Sequence, residues 1–165
     1  MVTAYVVDGR AYSGTSNVLS IATNVAAANQ TAAVCLFNPA TSGINAFVYG
    51  WEVSVDTPGV RVRFQHVTVD PVLGTAVTPI NRFRQAVLGT SSLLFETSVA
   101  SGLTIPSTNL TDVYMTGIVP IIPPDTVVDT WLSPGTGIYV SFNEETASTA
   151  VNVALSGQWV EFAAQ

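Results

Sequence analysis

The sequence predicts an all-β protein, built as an antiparallel β-sandwich or jelly roll with an extended N-terminal arm. Beyond residue 30, apolar and polar residues alternate with period two over most of the chain. Gly, Pro, Asn and Asp interrupt this alternation at short intervals, as the turns between strands do. No convincing long helix accompanies these strands, and 165 residues suit a single domain with one core.

The clearest alternation occupies residues 44–56 and predicts a long strand. Its large apolar side chains fall on one face, which we expect to be the core face: Phe47, Tyr49, Trp51, Val53 and Val55. A turn at 57–59 follows, and residues 60–66 then repeat the alternation. The short connection predicts that these two strands pair antiparallel.

Further strands are predicted along the rest of the chain, at 33–37, 67–69, 80–87, 92–97, 112–122, 126–132, 137–142 and 150–162. Residues 17–30 are ambiguous, because Val18, Ile21 and Val25 match helical spacing while 19–21 also fits a strand. The β character of the remaining chain favours an arm or edge strand. We therefore divide the chain into an N-terminal arm or edge segment, 1–30, and a sandwich domain, 31–165.

The composition indicates a protein that associates with other subunits. Charged residues make up 10% of the chain, where roughly 25% is usual for a soluble domain. Mean hydropathy is positive, at +0.43. Because charge covers so little of the surface, we expect part of its apolar area to be covered by a partner, and we predict an oligomer.

The charge balance also limits the class of partner. Eleven acidic residues, five arginines and no lysine give a formal charge of −6, so the basic stripe that binds a phosphate backbone is missing and no nucleic-acid partner is expected. The amino terminus lacks the charged start and apolar stretch of a secretory signal. No apolar run approaches the ~20 residues of a membrane span. We expect assembly in the cytoplasm, without a membrane partner.

Two residues are the first candidates for nucleophilic or acid–base chemistry. Cys35 lies in the apolar run 32–37, which predicts a buried and inert thiol. His66, the single histidine, shares its predicted strand face with Val62 and Phe64, which favours a hydrogen-bonded core or interface role over catalysis. The two could act together only if the fold brought them into contact.

The acidic residues form no recognisable site. Glu144 and Glu145 are adjacent and would point to opposite faces of a strand, so a solvated turn is the favoured interpretation. Asp125 and Asp129 would lie about 13 Å apart on one strand face, which is too far for a shared metal ion. Motifs for a serine elbow, a calcium loop, a phosphate loop or a dinucleotide site do not occur. We expect a non-enzymatic protein without catalytic, metal or cofactor-binding residues.

Two arginine pairs occupy alternate positions in predicted strands: Arg61 with Arg63, and Arg82 with Arg84. Each pair would project from one strand face, with its members about 6–7 Å apart. Such pairs bind carboxylates well. Because the chain has many acids, salt bridges within or between subunits are favoured over a bound anionic ligand.

The three tryptophans divide into one core candidate and two open cases. Trp51 lies in the apolar alternation of the 44–56 strand and is predicted to fill the core. Trp131 and Trp159 could each be a core residue or a platform that stacks on sugars.

Several segments, taken together, resemble the small β-sandwich or jelly-roll proteins on the virions of tailed bacteriophages, including capsid decoration (cement) proteins. The resemblance covers roughly residues 30–162 and consists of a pattern of strands and turns with a few recurrent sequence segments. These segments are 36–39 with 42–43, the aromatic strand 51–56, 66–75, 122–125, 132–138 and 158–162.

The resemblance implies a homotrimeric structural protein on a capsid or tail surface, with no enzymatic activity and no cofactor. Its partners would be copies of itself and the major capsid protein or other virion proteins. The resemblance assigns no residue to subunit or shell contacts. A receptor- or carbohydrate-binding jelly-roll module of a tail fibre or tail tip is the alternative, motivated by the unassigned tryptophans.

Overall fold

The computed structural model describes residues 10–21, 32–56, 59–82, 90–98, 108–115, 130–144 and 151–163. Within these ranges every helix or strand assigned is a β-strand. The strands form two antiparallel sheets, and side chains from both sheets meet in one large apolar core. The predicted all-β antiparallel sandwich is confirmed.

The described residues form twelve strands: β1 (Ala11–Thr15), β2 (Leu19–Ile21), β3 (Ala32–Asn38), β4 (Ile44–Val55), β5 (Val60–Val67), β6 (Thr75–Ala76), β7 (Ile80–Asn81), β8 (Leu94–Ser98), β9 (Thr108–Met115), β10 (Thr130–Leu132), β11 (Thr136–Glu144) and β12 (Val151–Ala163). Sheet A has the order β10-β4-β12-β1-β7, with β2 also paired to β12. Sheet B has the order β6-β8-β3-β11-β5-β9. The sandwich is therefore held together by pairings between strands that are distant in sequence.

The strands predicted at 33–37, 44–56, 137–142 and 150–162 are observed close to those bounds as β3, β4, β11 and β12. The strand predicted at 67–69 is wrong, because β5 ends at Val67 and residues 68–74 form a loop. Three predicted strands, 80–87, 112–122 and 126–132, are only partly observed, as β7, β9 and β10. Their remaining residues, apart from Arg82, lie outside the described ranges.

The predicted pairing of strands 44–56 and 60–66 is wrong. Strand β4 pairs with β10 and β12 in sheet A, whereas β5 pairs with β11 and β9 in sheet B. The connection carries the chain from one sheet to the other, and Gly59 adopts a φ of 103° there, which favours glycine. A short connection between two alternating segments thus forms a sheet-crossing corner here.

The N-terminal segment contributes to the sandwich where it is described. Strand β1 lies between β12 and β7 inside sheet A, with Ala11 and Tyr12 buried. Strand β2 pairs with β12, in agreement with the edge-strand interpretation of 19–21. Residues 1–9 and 22–31 lie outside the described ranges, so the division at residue 30 stays a prediction.

Stacked aromatic rings join the two sheets in the core. The Trp159 ring from sheet A lies 6.2 Å from the Tyr12 ring, with 23° between their planes. It lies 6.2 Å from the Phe95 ring of sheet B, with 24° between the planes. Trp51 packs on Gly157, where a Cβ atom would approach Cζ3 of the indole to 2.8 Å. The core therefore packs around the buried indoles of Trp51 and Trp159. A residue larger than glycine does not fit at position 157.

Asn38, at the end of β3, forms hydrogen bonds near two connections that cross between the sheets. It is fully buried, and its Nδ2 donates to the carbonyl oxygens of Ile44 and Leu132 at 2.9 and 3.0 Å. Ile44 begins β4, and Leu132 ends β10 immediately before the chain crosses to β11. The Asn38 side chain therefore holds these two crossings together at one end of the sandwich.

We expect Asn38→Ala to lower the free energy of unfolding by about 2–4 kcal/mol, because one buried and one partly buried hydrogen bond lose their donor. Urea unfolding followed by tryptophan fluorescence measures this change. Asn17→Ala is the matched control, since Asn17 is an exposed asparagine in the loop before β2, and its effect should stay within about 0.5 kcal/mol. Equal effects of the two substitutions would contradict the role given to Asn38.

Candidate binding surfaces

Cys35 and His66, the sequence candidates for a nucleophile and a base, lie on opposite faces of sheet B. Cys35 pairs with Tyr139 of β11 and belongs to an apolar cluster on the outer face, together with Leu73. His66 pairs with Ile138, a residue of the central core, and is half-buried on the inner face. Because the sheet separates the two side chains, they cannot form a catalytic pair.

The thiol of Cys35 is buried in an acidic surrounding. Burial raises its pKa strongly, and the negative charges of Asp70 and Glu96 add to this rise. The thiolate, which is the nucleophilic form, is correspondingly disfavoured. The prediction of a buried cysteine is confirmed.

Of the four acidic residues considered as site candidates, only Glu144 lies among the described residues. Asp125, Asp129 and Glu145 lie outside the described residues, and Glu144 is the last residue of β11. Within the part of the chain that the structure describes, no three His, Cys, Asp or Glu residues are grouped so that they could hold a metal ion.

The arginines occupy two separate places. Arg61 and Arg63 alternate along β5 in sheet B, as predicted, and both have interaction partners. Arg82 follows β7 at the edge of sheet A, while Arg84 lies outside the described residues. The Arg82 side chain forms hydrogen bonds with neutral acceptors on β4 and β12.

The structure resolves the roles of the tryptophans. Trp51 is buried, as predicted, and Trp159 is also fully buried. Trp131 is different, because 60% of its surface remains exposed on the edge strand β10. Of the two tryptophans that the sequence left open, only Trp131 can contact a ligand or a partner.

Trp131 belongs to an aromatic patch on the outer face of sheet A, formed by Phe47, Trp131 and Phe162. Its ring centroid lies 5.2 Å from that of Phe47 and 5.3 Å from that of Phe162, with interplanar angles of 42° and 38°. Two neighbouring rings thus support the indole. The patch is therefore a preformed apolar surface.

A β-bulge in β4 produces this patch. Gln158 pairs with Gly50 and Trp159 with Val48, which leaves Tyr49 without a partner in the ladder. The extra residue reverses the side-chain alternation. Ala46 and Val48 enter the core, and Phe47 and Tyr49, which were predicted to be core residues, face outward and are only partly buried. The prediction holds for the part of the strand beyond the bulge, from Trp51 to Val55.

A polar triad lies beside the aromatic patch. Nη1 of Arg82 donates to the hydroxyl oxygen of Tyr49 and to Oε1 of Gln158, both at 2.9 Å. The Arg82 backbone N–H donates to Ala11. To reach Tyr49 on β4, the Arg82 side chain has to cross the intervening strands β1 and β12. A cation is thereby positioned over the outer face of sheet A.

A second exposed apolar surface lies on sheet B, in the Val72 loop formed by residues 68–74. Val69 and Val72 are 67% and 72% exposed. Leu73 anchors the loop in the apolar cluster around Cys35, and its N–H donates to Oε2 of Glu96 at 2.8 Å. Asp70 Oδ1 accepts from the Val72 N–H at 3.0 Å. The loop is therefore fixed while it displays two valines.

Val72 has an unusual backbone conformation. Its φ of 49° lies in the left-handed region, which a β-branched residue adopts only at an energetic cost. Strain of this kind costs about 1–3 kcal/mol, persists where neighbouring contacts enforce it, and is concentrated at ligand clamps and switch regions. The strain and the exposure of Val72 make this loop a candidate contact surface.

Glu161 is a buried carboxylate that sequence reasoning missed. Its exposed fraction is 6%, and it accepts hydrogen bonds from the Ser91 hydroxyl, the Ser92 N–H and Nε1 of Trp159, at 2.6, 3.1 and 3.3 Å respectively. It thereby connects β12 of sheet A with the segment that leads into β8 of sheet B. Its position two residues after Trp159, on the same strand face, is the signal that could have revealed it.

Burial raises the pKa of Glu161, and the hydrogen bonds from Ser91, Trp159 and Ser92 oppose this rise without cancelling it. These three donors all belong to the protein itself, so the arrangement has the form of a structural clamp. Burial, and secondarily the charge of Glu161, also raise the pKa of Tyr12.

Comparison with protein-family models, with curated proteins and with solved structures gives no significant match to this chain. Among the described residues no helix has the length and apolar character needed to cross a membrane. The fold and the two surfaces therefore provide the basis for a functional proposal.

We expect Glu161→Gln to gain stability relative to the wild type as the pH rises. Because the folded-state pKa of Glu161 is raised, its contribution to wild-type stability is fully present below the unfolded-state pKa and is lost as the pH rises through the folded-state pKa. The glutamine variant lacks this loss. Urea unfolding of both proteins over a pH series measures the difference between their free energies of unfolding.

Glu52→Gln is the charge-matched control for this experiment, because Glu52 is an exposed carboxylate on the same sheet. A difference between Glu161→Gln and the wild type that stays constant or falls with rising pH would contradict the raised pKa.

Proposed function

We propose that this chain is a structural protein of a tailed-bacteriophage virion, most specifically a homotrimeric decoration protein that stabilises the exterior of the capsid. The Val72 loop is the observation that carries this proposal. It holds an exposed valine in a strained conformation on an anchored loop, which suits a preformed contact with another protein. The loop also coincides with segment 66–75 of the resemblance to virion proteins.

Two further observations support a role in assembly over chemistry. The first is the separation of Cys35 and His66 by sheet B, which leaves the sequence candidates for catalysis apart. The second is the low charge of the chain, since the cores of protein interfaces are poor in charged residues. In a trimer, weak contacts by identical loops would act together and give a high overall affinity for a symmetric shell.

We expect Val72→Gly to weaken binding to undecorated capsids at least tenfold while the fold stays as stable as the wild type or becomes more stable. Glycine adopts a φ of 49° without the strain of valine, but it removes the exposed side chain. Cosedimentation with capsids measures binding, and thermal unfolding measures stability. Val69→Ser should also weaken binding, whereas Val18→Ser, at an equally exposed valine next to β2, should not.

Light scattering of the isolated protein tests the assembly state, and a mass of three protomers is expected. Cryo-electron microscopy of capsids mixed with the protein should show regular additional density. A stable monomer that leaves every capsid site empty at saturating concentration would overturn the proposal. Wild-type binding by the Val72→Gly variant would exclude the Val72 loop as the contact surface.

A receptor- or carbohydrate-binding module is the second candidate, and the exposure of Trp131 favours it. An exposed indole supported by Phe47 and Phe162 offers a flat face, to which the C–H groups of a sugar ring can bind. This surface lies on sheet A, whereas the Val72 loop lies on sheet B. The two candidate functions therefore use different surfaces and can be tested separately.

A further inference from the structure

We infer that the outer face of sheet A binds an acidic carbohydrate, a chain of pyranose rings that carry carboxylate groups. In this site Trp131 stacks on one ring, and Arg82 binds the carboxylate of that ring or its neighbour. The inference rests on the second candidate function and adds the chemical class of the ligand and the residues that select it.

The aromatic patch supplies the apolar part of the site. Trp131, Phe47, Val160 and Ala11 occupy successive positions in one row across β10, β4, β12 and β1. Val160 and Ala11 are buried, whereas most of the Trp131 surface is exposed. The accessible apolar area is thus concentrated at the Trp131 end of the row. The negative face of an indole attracts the weakly positive C–H groups on one side of a pyranose ring.

The Arg82 backbone lies at the other end of the same row, because its N–H donates to the Ala11 carbonyl oxygen, and its side chain extends back across the sheet to Tyr49 and Gln158. Among the described residues, its side chain bonds to two neutral acceptors, Tyr49 and Gln158. These bonds orient the guanidinium without neutralising it. The planar guanidinium has five N–H donors in a fork that matches a carboxylate, so donors remain for an anion.

The spacing fits a short stretch of a polysaccharide. Trp131 pairs with Phe47 on the neighbouring strand, and Tyr49 lies two residues further along that strand. With a strand separation of about 4.8 Å and a rise of about 3.3 Å per residue, the Cα atoms of Trp131 and Tyr49 are about 8 Å apart. Trp131 and Tyr49 therefore lie on one short stretch of the sheet face. Because the guanidinium bonds to the Tyr49 hydroxyl oxygen, we expect it to meet the carboxylate of the ring on Trp131 or of the next ring in the chain.

The net negative charge of the chain means that an acidic sugar can bind only where a local cation attracts it. A protein with a formal charge of −6 repels polyanions in general. Binding of an acidic sugar therefore requires a local cation at the contact, and the hydrogen bonds to Tyr49 and Gln158 fix Arg82 at such a position. A neutral sugar would use the indole but would leave the guanidinium without an anionic partner.

The experiment uses the full chain, with an oligomer of galacturonic acid as the probe and its methyl ester as the uncharged control. Trp51 and Trp159 are buried, so a change in tryptophan fluorescence on binding reports Trp131. We expect the acid to bind at least tenfold more tightly than the ester. The affinity for the acid should also fall with rising salt, because the contact with Arg82 is exposed.

Two variants test the named residues. Arg82→Gln should lower the affinity for the acid at least tenfold and leave the affinity for the ester unchanged, whereas Trp131→Ala should weaken binding of both, measured by calorimetry. Arg61→Gln, which removes the same charge from sheet B, is the control and should bind as the wild type does. Thermal unfolding confirms that each variant is folded. If Trp131→Ala does not fold, Trp131→Phe replaces it, with a smaller loss expected.

Three other outcomes would contradict the inference, the site or carbohydrate binding as a whole. Equal binding of acid and ester would overturn the inference and leave carbohydrate binding as a function. Binding of the acid that Arg82→Gln does not weaken would overturn the site. No binding of either probe at millimolar concentration would overturn both the inference and carbohydrate binding. The capsid proposal is unaffected by all three outcomes, because it concerns the Val72 loop on the other sheet.

Discussion

The β-bulge at Tyr49 is the constraint on which the surface of sheet A depends. Strands β4 and β12 form the long central pair of this sheet, and the unpaired residue between Val48 and Gly50 shifts their register. Ala46 and Val48 can therefore fill the core at one end of β4, while Trp51 fills it at the other. The same shift turns Phe47 and Tyr49 outward. One inserted residue thus produces both a filled core and an aromatic surface.

Consecutive strands repeatedly cross between the sheets, and this crossing separates the two candidate surfaces. β3, β4 and β5 lie in sheets B, A and B, and β10, β11 and β12 in sheets A, B and A. At one end of the sandwich Asn38 satisfies carbonyl groups from two of these crossings. A protein built in this way has two outer faces that belong to different sheets, and each face carries one of the candidate surfaces.

The chain has few charged residues, and the two whose contacts are described most fully, Glu161 and Arg82, have different roles. Glu161 is buried and connects the two sheets through donors that the protein supplies, at the cost of a raised pKa. Arg82 is exposed and, among the described residues, is oriented by neutral groups that leave its charge available. The first arrangement uses a charge for internal cohesion, and the second directs a charge toward solvent. Both depend on partners that are far away in sequence.

The sequence by itself determined the fold class, most of the longer strands and the burial of Cys35 and Trp51, because a period-two alternation reports directly which residues form a strand with one apolar face. It did not determine that β4 and β5 belong to different sheets, that Phe47 and Tyr49 face outward, or that Trp159 is buried while Trp131 is exposed. Only the tertiary structure decided these features. Strand partners are distant in sequence, and a single bulge reverses the alternation without leaving a mark in the local pattern.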